Sequence, residues 1–149
     1  MKAEIDHAVQ MLSKADANSL YARLGASSVA FSSNPAQFMG FDPAMKVDVS
    51  VAGPLDDAIG LGKRILNRWN KTMYDLICGT DGVDPQAKKT ILDALRLGTP
   101  DAYASGITGV LISLFSVGPG VAIVVGVLFG KVLMPAAGEE VCAFWKERI

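Results

Sequence analysis

The stretch "GVLISLFSVGPGVAIVVGVLFGK", Gly109 to Lys131, carries no charge before its last residue and is broken in the middle by Gly118-Pro119-Gly120. The uncharged run is longer than the quotation, since no Asp, Glu, Lys or Arg occurs from Ala102 to Gly130. A membrane-spanning helix needs about 20 apolar residues. The Gly-Pro-Gly break divides the run into two arms, 102–117 and 121–134, each too short to span comfortably. The pattern predicts a helical hairpin.

Small residues recur on one face of each arm. Ala102, Gly106, Gly109, Ser113 and Ser116 follow spacings of four and three, and Ala122, Gly126 and Gly130 follow spacings of four. Glycine in a helix interior costs about 1 kcal/mol relative to alanine. Several of them imply a close backbone approach that offsets the loss. Gly106, Gly109, Gly126 and Gly130 are therefore the expected packing residues of the hairpin, with Gly109 and Gly126 facing the opposite arm. The same spacing drives helix association inside membranes, so it does not by itself choose between a bilayer and a buried protein core. The β-branched run "VAIVV" also fits a short buried strand, which leaves helix and strand both open for 121–128.

The flanking sequence favours a core, because it supplies amphipathic helices whose apolar faces need a partner. Ile5, Ala8, Val9 and Leu12 form one stripe. Leu20 and Leu24 continue it in the same helix or a second one, and Gly25 reads as a stop. Pro54, Asp56 and Asp57 open the clearest helix. Its stripe is Leu55, Ala58, Ile59, Gly62, Leu66, Trp69, Met73, Leu76 and Ile77, and Gly79 suits its end. Asp84-Pro85 and Thr99-Pro100 repeat a capping start signal, and Pro135 reads as the opening of a last helix. The expected fold is all-α: a compact five- to six-helix bundle, one domain over 1–149, around a central Gly-rich apolar hairpin within 102–134.

Residues 25–53 stand apart, rich in Ser, Gly, Pro and Asn. They read as a long irregular loop, with a short strand at Lys46–Val51. Long ordered loops are often functional. Phe31, Phe38, Met39 and Phe41 are either its anchors on the core or a partner-binding surface.

Half the residues are apolar and the net charge is −1, so no basic field exists to hold nucleic acid, and none is expected as a partner. The one histidine, His7, has no motif around it, and no metal or cofactor sequence is present. Cys78 and Cys142 each lie in an apolar helical pattern and read as free buried thiols of a reducing compartment. "MKAEIDHAVQ" lacks the apolar run of a signal peptide, which points to the cytoplasm. Arg64, Arg68 and Lys71 share one side of a helix and make a candidate face for an anion or an acidic partner.

These features favour a non-catalytic helical interaction protein that binds another macromolecule, most simply a protein. A second reading makes a membrane the partner. Soluble pore-forming proteins of the colicin type wrap an apolar hairpin in amphipathic helices, and the last third of this chain is similar in that pattern alone. The third reading is a small enzyme or ligand-binding bundle with an apolar pocket beside the glycines.

Overall fold

The computed structural model describes residues 2–33, 53–79, 84–135 and 140–148. Among them every element is helical: α1 (Lys2–Leu12), α2 (Ala17–Ser33), α3 (Leu55–Cys78), α4 (Pro85–Arg96), α5 (Pro100–Phe115), α6 (Pro119–Val132) and α7 (Val141–Lys146). The helix starts follow their capping chemistry. The Asp84 carboxylate accepts from the Ala87 amide at 2.9 Å, and the Thr99 hydroxyl accepts from the Ala102 amide at 3.2 Å. Each cap satisfies an otherwise orphaned donor. Pro85 and Pro100 follow these caps at the first helical position.

The helices stack around α6. Helix α3 packs on α2, α2 packs on α6, α6 packs on α5, and α5 carries α1 and α4. Every residue from Pro119 to Gly130 is buried. A helix that is apolar all round has to be enclosed on all sides, and here it forms the centre of the bundle. Residues 121–128 are helix, so the strand reading of "VAIVV" falls. Among the described residues no helix is long and apolar enough to cross a membrane.

Helices α5 and α6 form the expected hairpin and run antiparallel. The backbone of Gly126 lies against Ala104 and Thr108, and that of Gly130 against Pro100. A Cβ on Gly126 would collide with the Thr108 hydroxyl and sit 2.6 Å from the Ala104 carbonyl oxygen. The seam on α5 is thus Pro100, Ala104 and Thr108, not the stripe of Ala102, Gly106, Gly109, Ser113 and Ser116. A Cβ on Gly106 would meet the Ala94 side chain of α4, and one on Gly109 would meet nothing within 4 Å among the described residues. Both stripes are small enough for close packing. Thr108 joins the buried seam because its hydroxyl donates to the Ala104 carbonyl oxygen of its own helix at 2.8 Å, which leaves no unmet polar group there.

The hairpin turn also differs from the Gly-Pro-Gly expectation. Ser116 is left-handed at φ 52° and ends α5, whereas Gly118 precedes α6 and Pro119 is its first residue. Gly120 lies inside the helix. Nor does Gly25 end a helix. Helix α2 continues to Ser33, so residues 25–33 are not loop, and Phe31 lies half-buried on a helix against the core. Gly25 sits at a close α2–α3 crossing, where its Cβ would be 3.3 Å from the Gly62 amide nitrogen. Phe38, Met39, Phe41 and the strand proposed for Lys46–Val51 lie outside the described residues. The last helix starts at Val141 rather than at Pro135, with the Glu140 carboxylate accepting from the Cys142 and Ala143 amides.

The two faces of α5 predict opposite responses to one substitution. Gly126→Leu should lower stability in urea denaturation by about 1–3 kcal/mol or more through overpacking. Gly109→Leu should be neutral or slightly stabilising through its helix propensity. Equal losses at the two positions would remove the assignment of faces.

Candidate functional site

The face of α5 turned away from α6 forms the floor of a cleft. Helices α1 and α4 both pack on α5, and the cavity between them is about 720 Å³. Its floor is Ala102, Ser105, Gly106 and Gly109. One wall is Ile5, Asp6 and Gln10 of α1, and the other is Thr90, Asp93, Ala94 and Leu97 on and just beyond α4. Asp101 closes one end, in the first turn of α5. Cavities of this size that are mostly apolar with a few placed polar groups are the usual form of ligand sites. Two of the four glycines read as hairpin packing, Gly106 and Gly109, belong to this cleft.

The polar groups of the cleft are held in place. The Asp6 carboxylate accepts from the Ser105 hydroxyl at 2.8 Å, tying α1 to α5. The Asp101 carboxylate accepts from the Ser13 hydroxyl at 3.0 Å at the far end of α1. Asp93 pairs with Arg96 across one turn of α4 at 3.5 Å, with both side chains exposed. Among the described residues these carboxylates do not gather into a group able to hold a metal ion. His7 is exposed on α1 and is not among the residues lining the cleft.

On another face of α5, toward the open end of the hairpin, an aromatic cluster joins three helices. Phe129 of α6 meets Tyr103 of α5 and Trp145 of α7 edge to face, with ring centroids 6.4 and 6.2 Å apart. The Trp145 indole donates to the Tyr103 hydroxyl at 3.0 Å, and that hydroxyl donates onward to the Leu133 carbonyl oxygen at 3.4 Å. Burial pushes the Tyr103 phenol far up from its ordinary range, so it stays protonated as a donor.

Cys78 and Cys142 form a disulfide, with Cα atoms 5.6 Å apart, and so are not the free thiols that their apolar settings suggested. The helical pattern placed each cysteine correctly on an apolar face. It carried no information on the docking of α7 beside the end of α3, which brings the two within bridging reach.

Arg64, Arg68 and Lys71 are all exposed on α3, as the helix pattern required, and none of them is in an ion pair among the described residues. Lys63 beside them lies over the Tyr21 ring at 5.6 Å. The structure does not bring this basic face to the cleft lining. Comparison of the chain with protein-family models, with curated proteins and with solved structures gave no match.

The bridge closes a segment of 64 residues, for which the chain-entropy relation gives about 4 kcal/mol. Helix α7 has six residues, too few to persist without tertiary support. Reduction should therefore lower stability by about 4 kcal/mol. It should also shift Trp145 emission to the red, read in a Trp69→Phe background where Trp145 is the remaining tryptophan. Unchanged emission and stability after reduction would show that α7 is held without the bridge.

Proposed function

We propose that this is a non-catalytic binding protein and that the cleft between α1, α4 and α5 is its working site. The observation that supports this reading is the open face of α5. A Cβ on Gly109 would meet no other atom of the described residues within 4 Å, so no close approach among them calls for glycine there, although a glycine inside a helix costs about 1 kcal/mol. An approach from outside the chain gives that position a use. The carboxylates of the cleft are engaged with serines or with Arg96, which suits binding better than proton transfer. The partner is most simply a protein.

The disulfide favours an oxidising compartment over the cytoplasm, because such bridges persist where thiols are not kept reduced.

One observation favours the membrane-active reading, namely the complete enclosure of α6 within other helices. Against it, α5 and α6 have 16 and 14 residues. These give lengths of about 24 and 21 Å, short of a hydrocarbon core of about 30 Å.

The test is amide chemical-shift mapping of a library of small apolar fragments and amphipathic peptides, on the parent and on Gly109→Phe. The variant has room to fold and fills the cleft floor. Binders should perturb Asp6, Ala102 and Gly109 in the parent and lose that site in the variant. Binders that map elsewhere, or that ignore the variant, would refute the site. Dye leakage from liposomes on adding the oxidised chain would move the conclusion to the membrane reading.

A further inference from the structure

We infer that the occupant of the α1/α4/α5 cleft is a basic amphipathic helix of a partner protein, its apolar face on Gly106 and Gly109 and its Lys or Arg side chains beside Asp6, Asp93 and Asp101. The inference rests on the cleft being the working site and specifies what it holds.

Three observations converge on that occupant. The first is shape. Ala102, Gly106 and Gly109 follow spacings of four and three along the floor, the repeat by which one helix presents a smooth seam to another. Helix α6 uses a different seam on α5, and Gly106 of this one already faces Ala94 of α4, so among the described residues the unfilled stretch of the floor is at Gly109. Helix-in-groove docking uses the same geometry, with anchors every three or four residues of the incoming helix.

The second is apolar exposure. Leu97, on the cleft wall, is 72% exposed, the most exposed large apolar residue among those described. It stands beside the buried Ala94 and across the cleft from the buried Ile5, and a partner side chain would cover it.

The third is charge. Asp6, Asp93 and Asp101 line the cleft from α1, from α4 and from the first turn of α5, and among the described residues no Lys, Arg or His lines it. The net charge of the whole chain is only −1, so the three carboxylates in this lining are a local feature, with Arg96 and Lys131 at its rim. The serine hydroxyls that donate to Asp6 and Asp101 fix their positions without neutralising them. A partner of opposite charge is steered to such a surface and wrong partners are rejected. A basic segment with no apolar face would leave Leu97 and the floor uncovered, and an apolar helix with no cations would leave Asp6 and Asp101 without counter-charge, Asp93 being paired with the exposed Arg96.

The probes are two short synthetic helices of equal length, one alternating Leu faces with Lys and one with Glu in place of every Lys, titrated calorimetrically onto the oxidised full-length protein. A third probe is a long-chain alkyl amine. The variants are Gly109→Phe, which blocks the floor, and Asp6→Asn/Asp93→Asn/Asp101→Asn, which keeps the serine acceptors and removes the charge. Asp75→Asn on α3 controls for net charge. The Lys helix should bind the parent and weaken with salt. It should lose at least tenfold in affinity on the triple variant and little on Asp75→Asn, and it should fail on Gly109→Phe. The Glu helix should not bind. Equal binding of the two helices, or Lys-helix affinity unchanged by the triple variant, overturns the basic-helix assignment while leaving the cleft standing if Gly109→Phe still abolishes it. Binding of the amine without either helix overturns it in favour of a small ligand. Lys-helix binding indifferent to Gly109→Phe removes the cleft itself, and no binding by any probe overturns the inference.

Discussion

The structure depends on the contact of the Gly126 backbone with Ala104 and Thr108, where the Ala104 carbonyl and the Thr108 hydroxyl take up the space that a side chain on residue 126 would need. That approach forms the α5–α6 hairpin at the centre of the bundle. It requires glycine on one helix and a small or self-satisfied residue on the other. Thr108 meets the second condition by donating its hydroxyl within α5. With α6 seated this deeply, its remaining faces must be covered, and α1 and α2 cover them. Helix α3 then covers α2 through a second close crossing at Gly25 and Gly62. The bundle is layered outward from one glycine seam.

The same seam creates the candidate site. Helix α5 carries two small-residue faces, and α6 takes one of them. The other is left between α1 and α4 as the cleft floor. A large residue at Gly109 would partly fill this space, and a different register of the hairpin would turn the carboxylate-lined face inward. Position of the site and packing of the core are thus two consequences of which face of α5 the central helix uses.

The helix class, the hairpin and the caps at Asp84 and Thr99 were legible in the sequence, because uncharged runs and capping residues act locally. Which face of α5 would be used was not legible, since Ala102-Gly106 and Ala104-Thr108 are both small pairs at a spacing of four. Gly25 read as a stop because a single glycine signals both helix ends and helix crossings, and only the partner Gly62 distinguishes them. Leu55 fitted the stripe of α3 but sits at its exposed end. Asn70 is not part of that stripe, yet it is fully buried four residues after Leu66, and neither its amide nitrogen nor its oxygen has a hydrogen-bond partner among the described residues. A buried amide without partners costs about 1–3 kcal/mol, and nothing in the structure explains why it is there. The disulfide was hidden for a different reason. It joins segments 64 residues apart, and their proximity arises from the aromatic cluster that docks α7.

Native-state hydrogen exchange tests the central claim most directly, because it reads the stability of each helix separately. If α6 is the enclosed centre, the amides of Val121–Gly130 exchange only through global unfolding, with the free energy found by urea denaturation, while those of α4 and α7 open earlier. Exchange of Val121–Gly130 through an opening of lower free energy than that of α1 or α4 would contradict the account.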